Sequence, residues 1–196
     1  MINCILAGVG GQGTVLASKL IAQCAMNQGQ EARTAETIGM AQRGGCVVSH
    51  VRIGQAIQSP ILPLRSADVM VGFEPGEAVR CLPYLKPEGV LVVSSTAVQP
   101  VTASLSGAVY RGEDMLDFLR QQVKKLIIID GEAVCARCGS SKVLNVALLG
   151  AAMQSGALQM TMEQMERTII ERLPERFHEM NIQALREGAR AAKGER

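Results

Sequence analysis

The sequence contains no tryptophan, three phenylalanines and two tyrosines, so aromatic residues make up 3% of its 196 positions. Proteins that hold single-stranded nucleic acid stack bases on aromatic side chains; a chain this poor in them is not expected to bind nucleic acid. Charge of one sign is also lacking, with 20 Lys and Arg against 18 Asp and Glu. The balance leaves no global field to recruit nucleic acid or an anionic membrane. Apolar runs are broken by glycine, proline or charge well before the roughly 18 residues that a bilayer span needs. The opening residues lack the basic stretch and small-residue cleavage site of a secretory signal, so a cytoplasmic protein is expected. Six cysteines (Cys4, Cys24, Cys46, Cys81, Cys135 and Cys138) are scattered through apolar contexts. That usage fits buried thiols in a reducing compartment better than a disulfide framework.

What is present is 47% hydrophobic content and 20 glycines, enough for one sizeable core. The chain opens with INCILAGVGGQGTVLASKLIAQ, which reads as strand, tight turn, helix. Gly8, Gly10 and Gly13 fit G-x-G-x-x-G, a pattern that removes side chains where backbone must bend and approach a ligand or a neighbouring element. The following helix aims its free N–H groups at that turn, a place for a phosphate or carboxylate. The same glycines equally suit close packing of a helix on a parallel sheet.

Gln30 to Ile38 offers a second strand. In a dinucleotide fold an acidic residue near its end holds the ribose, and Glu36 is the placed candidate; a solvated Glu36, or one paired with Arg33, is the competing reading. The next stretch, TIGMAQRGGCVVSHVRIG, is a glycine-rich loop presenting Gln42 and Arg43, followed by a strand. An Arg here matches a carboxylate or phosphate with its fork of donors, or binds loop carbonyls or a partner subunit. His50 has no His, Cys or carboxylate at ligand spacing in sequence and reads as a hydrogen-bonded residue on the sheet or at an interface.

Further strands are expected at Ala67 to Phe73, Val90 to Ser94 and Lys125 to Asp130. A helix opened by Glu74 and Pro75 and another over GEDMLDFLRQQV alternate with them, and a turn is expected at Pro87-Glu88-Gly89. Alternation of this period means an α/β fold with a doubly wound, mostly parallel sheet. From Ser140 the pattern is helical only. The expected organisation is therefore a single domain, with residues 1–139 as the α/β part and residues 140–196 as a C-terminal helical extension. Cys135-Ala-Arg-Cys138 lacks the second ligand pair that a zinc or iron–sulfur site needs. A thiol redox role there requires a depressed thiol pKa and an accessible sulfur.

The segments GVGGQG, GMAQRGGCVVSHVRIG, ADVMVGFEPGEAVRCLPYLKPEGVLVV and KVLNVALLGA resemble, in order through nearly the whole chain, the small gamma-type subunits of the 2-oxoacid:ferredoxin oxidoreductases. Within that family the likeness is to the small subunits of the indolepyruvate type. The resemblance implies a domain like the third domain of pyruvate:ferredoxin oxidoreductase, in a subunit inactive alone. Its implied partner is a large alpha subunit that holds thiamine diphosphate and 4Fe-4S clusters, with ferredoxin as electron acceptor and CoA as co-substrate. No cofactor, metal or catalytic residue is implied for this chain itself. The two signature loops, Gly8, Gly10, Gly11, Gln12 and Gly13 with Gln42, Arg43, Gly44 and Gly45, are implied to face ligand or partner subunit. A free-standing dinucleotide-binding protein, and a small subunit serving pyruvate or 2-oxoglutarate, are the alternatives.

Overall fold

Ile2–Val9 forms β1, and every one of its residues is buried. An apolar run without alternation requires that arrangement, because both faces of the strand must be covered. A computed structural model describes residues 1–38, 45–99 and 109–194. After β1 come α1 (Thr14–Met26), β2 (Glu31–Ile38), β3 (Cys46–Gly54), β4 (Ala67–Gly72), α2 (Pro75–Cys81) and β5 (Leu85–Ser94). The chain continues through α3 (Gly112–Gln122), β6 (Lys125–Ile129), α4 (Gly131–Arg137), α5 (Leu144–Gln154), α6 (Met162–Arg172) and α7 (His178–Ala192).

The strands form one six-stranded sheet in the order β2-β3-β1-β4-β5-β6. β1, β4, β5 and β6 run parallel, whereas β3 is antiparallel to both β1 and β2. The sheet is thus mixed, mostly parallel and flanked by helices, as the alternation of elements predicts. The antiparallel strand has a simple cause. Ile38 and Cys46 are joined by too few residues for a crossover, so the chain can only reverse beside itself.

Two apolar clusters occupy the two faces. One gathers Cys4, Leu6, Val51, Val71 and Ile129 from the sheet with α1, α4, α5, α6 and α7. The other gathers Ile5, Ala7, Met70, Leu91 and Val93 with α2, α3 and Leu62. The helical run after Ser140 therefore shares the core of the sheet. α5 is buried nearly all round, and α7 crosses it at backbone contact distance: a Cβ on Gly150 would lie 1.9 Å from the Leu185 carbonyl oxygen, and one on Gly188 1.8 Å from that of Ala147. α6 begins with a complete capping box between Thr161 and Gln164, which satisfies free N–H groups at its start.

Two local expectations need correction. Pro87-Glu88-Gly89 does not end a strand: β5 runs from Leu85 through it, and the extra residues are absorbed as a register shift opposite Ala67–Val69. Arg33 pairs with Glu31 at 2.9 Å and not with Glu36. The reason is periodicity, since residues two apart on a strand share a face and residues three apart do not.

His50 is buried beneath the loop before β4, where its Nδ1 accepts the Leu62 N–H at 3.3 Å and its ring meets Tyr84 edge-on at 5.5 Å. Burial holds its pKa below the usual histidine value. The unfolded chain consequently takes up this proton first, so stability is full above about pH 7 and falls as pH drops below about 6.5. Thermal melts between pH 7.5 and 5.5 are expected to show that decline, and His50→Gln to flatten it. Gly188→Ala is expected to cost about 3 kcal/mol in denaturant unfolding, because the methyl group meets a carbonyl that cannot withdraw.

Candidate functional site

The path of the chain locates a site before any side chain is considered. From β1 the chain passes through α1 on one face toward β2 and β3. From β4 it passes through α2 on the other face toward β5. The connections diverge between β1 and β4, and in open α/β sheets such a divergence leaves a crevice at the carboxyl ends of the strands. Here the place of that crevice lies between Gly8–Gly13, at the end of β1, and Phe73–Gly76, after β4.

Gln12 fills its inner part. Its Oε1 accepts the Val9 N–H at 2.8 Å, and its Nε2 donates to the Phe73 carbonyl at 3.1 Å. The neighbouring glycines accommodate this bridge. A Cβ on Gly8 would stand 2.8 Å from both Gln12 Oε1 and Phe73 Cβ. Gly13, at φ 82, precedes α1, and a Cβ there would stand 2.5 Å from Nδ2 of the buried Asn145. At Gly8 and Gly13 the space a side chain would need is taken by Gln12, Phe73 and Asn145. Gly11 differs: it is exposed, at φ 102, and a Cβ would meet nothing within 4 Å. The outer rim of this loop is the part that reaches solvent. α1 begins behind it without a side-chain cap or an acidic residue in its first turn.

The second signature loop is anchored to the first, for the Gly10 N–H donates to the Gly45 carbonyl at 2.8 Å. Gln42, Arg43 and Gly44 lie outside the described residues. Cys46 then pairs in register with Val9, which brings the end of this loop against α2.

Sequence reasoning missed the acidic wall of the crevice. Glu74 is buried at the start of α2, where Oε2 accepts the Glu77 N–H at 2.9 Å and Oε1 accepts the Tyr110 hydroxyl. Tyr110 also accepts the Gly76 N–H at 3.0 Å; burial, reinforced by Glu74, raises its pKa. Glu77 is 5% exposed and paired with Arg80, and its Oε2 has no hydrogen-bond partner among the described residues. Burial, with Glu77 adding to the effect, pushes the Cys46 thiol up to about 12. The available signal was F-E-P-G-E itself, an acid at the cap and a second one turn on, which reads equally as ordinary capping. The wall is hydrogen-bonded and negative, so an anionic ligand is better received at the Gly11 rim and α1 than along α2.

Other expectations separate from this site. Glu36 is divided from β1 by β3, opposite Ser49, and approaches Ser18 of α1 at 3.4 Å. A ribose held at β1 is out of its reach, so the dinucleotide reading loses its second contact. Cys135 and Cys138 are 8% and 9% exposed, and burial raises both thiols, the opposite of what a redox thiol needs. All six cysteines are free; Cys135 lies near Cys138 and Cys46 near Cys81, and no group of three or more metal-ligating side chains gathers among the described residues. This donor set does not fit an iron–sulfur cluster.

Gln12→Ala removes both bridging bonds and leaves the Val9 amide and Phe73 carbonyl unpaired. It is expected to cost about 2 kcal/mol in chemical denaturation, from about 1 kcal/mol per hydrogen bond.

A family model described as pyruvate ferredoxin/flavodoxin oxidoreductase matches residues 3–191. Indolepyruvate oxidoreductase subunit IorB of Thermococcus kodakarensis is 33% identical over 196 residues, covering 97% of this chain and 96% of that protein. Its namesake from Archaeoglobus fulgidus is 32% identical over 188 residues, with 95% and 93% covered. In fold, the keto/oxoacid ferredoxin oxidoreductase gamma subunit of Geobacter sulfurreducens superposes with a TM-score of 0.73 over 99% of both chains at 22% identity. The family match begins in β1, passes through both signature loops and ends in α7, and on that extent the chain belongs to the pyruvate ferredoxin/flavodoxin oxidoreductase family.

Proposed function

We propose that this chain is the small subunit of an indolepyruvate-type 2-oxoacid:ferredoxin oxidoreductase. Supporting that reading above all is a likeness to the Thermococcus kodakarensis indolepyruvate oxidoreductase subunit that extends over 97% of the chain at 33% identity. The reaction joins an arylpyruvate and CoA to give arylacetyl-CoA and carbon dioxide, with two electrons passing to ferredoxin. Thiamine diphosphate and the iron–sulfur clusters reside on a large partner subunit. The assembly works in the cytoplasm.

In this reading the fused rim of the two signature loops faces the large subunit's active-site region and the path taken by CoA. Gly10, Gly11 and Gly45 supply close backbone approach, the start of α1 supplies unpaired N–H donors, and Arg43 supplies the charge that clamps a phosphate or carboxylate. Gly8, Gln12 and Gly13 hold that rim in shape, and Gln42 and Gly44 complete the second loop.

Co-expression with the large subunit tests the assignment. Indolepyruvate-dependent dye reduction is expected only in the joint preparation, faster with indolepyruvate than with pyruvate or 2-oxoglutarate. Emergence of the chain alone with a bound dinucleotide would overturn the reading. In the joint preparation Arg43→Ala is expected to raise the KM for CoA about tenfold while kcat changes little, the signature of lost uniform binding.

A further inference from the structure

At the opposite end of the sheet from the glycine loops, a groove of about 830 Å³ runs between α2, α3 and residues 62–66. Its walls include Leu64, Val79, Leu82 and Phe118, with Arg65 and Lys86 among its lining residues and no carboxylate. We propose that this groove seats an apolar segment of the large subunit that carries a carboxylate for Arg65. The proposal rests on the small-subunit reading above and adds the surface and the chemistry of the contact.

The apolar part of the argument comes from residues that the fold leaves unused. α3 packs on the sheet through Leu116 and Leu119, both buried, yet Phe118 between them points away and is 42% exposed. Leu64 is 63% exposed and nearby Ile61 47% exposed. Leu64 and Phe118, two large exposed apolar side chains lining one groove, leave more apolar surface in water together than scattered exposure does, and such patches mark macromolecular contacts. The groove is open along its length, which suits an extended or helical segment better than an enclosed small molecule.

The charged part comes from Arg65. It is a non-glycine residue in the left-handed region, at φ 55, where glycine sits without strain. The loop is pinned there by two bonds to the turn after α2, from Arg65 N–H to the Pro83 carbonyl and from Ser66 N–H to the Tyr84 carbonyl, each 2.9 Å. Both are backbone bonds and do not engage the guanidinium. Lys86 is already engaged by Asp68, whereas Arg65 has no ion-pair partner among the described residues. An unmatched cation on the lip of an apolar groove asks for an acid on the partner.

The test uses the assembled complex of this chain with the large subunit and measures its dissociation constant by sedimentation. Three variants are compared with wild type: Arg65→Gly, Arg65→Glu, and Leu64→Asp combined with Phe118→Asp. Arg65→Gly is expected to melt at or above the wild-type temperature as an isolated chain, yet to weaken the complex about tenfold, a change in Kd that a single charge-assisted contact accounts for. Arg65→Glu and the double variant are expected to weaken it further, with dye reduction restored at saturating large subunit because the signature loops are untouched. Wild-type affinity in all three variants overturns the proposal while leaving the subunit reading intact. Self-association of the isolated chain that the double variant abolishes, with the complex unaffected, assigns the groove to a second copy and overturns it as well. Failure of the wild-type chain to bind the large subunit refutes the subunit reading itself, and this proposal with it.

Discussion

The amide of Gln12 joins the ends of β1 and β4 at the point where the chain's connections diverge. Much at the carboxyl edge of the sheet depends on that bridge. Gly8 and Gly13 are glycines because Gln12, Phe73 and Asn145 occupy the volume their side chains would need. The first loop, once closed on itself, offers Gly10 to Gly45 and so carries the second loop with it. A fingerprint usually explained by a bound pyrophosphate is explained in this chain mainly by the protein's own polar groups. Among the described residues of the first loop, the rim at Gly11 is exposed, with nothing within 4 Å of where a Cβ would stand.

The electrostatics follow from the same geometry. A buried Glu74 needs donors, and it finds the Glu77 N–H and the Tyr110 hydroxyl. The result is a wall with its own anions at α2 and an uncapped, donor-rich helix start at α1. The two ends of the crevice therefore differ in sign. That difference favours a ligand or partner surface meeting the loops from the α1 side.

Much of the architecture was legible because it rests on periodicity and on rules of connection. The mostly apolar runs of β1 and β4, short and bounded by turn residues, read as strands, and both are buried. What escaped was set by contacts distant in sequence. The insertion of β3 between β1 and β2 is a pairing choice that no local pattern encodes, and it alone removes Glu36 from the crevice. Pro87-Glu88-Gly89 carries strong turn chemistry, and it is accommodated as an irregularity within β5, where Leu85 pairs with Ala67 and pairing resumes at Val90. Glu77 and Tyr110 lie 33 residues apart in the sequence; only the return of the chain before α3 brings both to the buried Glu74.

The placement of β3 also shapes how firmly the sheet is held. β2 lies at the edge and touches the rest of the sheet only through β3, while β4 is enclosed between two parallel neighbours and two helical layers. Local opening therefore becomes easier from the centre outward on that side. In amide hydrogen exchange, β4 and β1 would report the global unfolding free energy, and β2 would exchange through smaller excursions in which it peels from its hairpin partner.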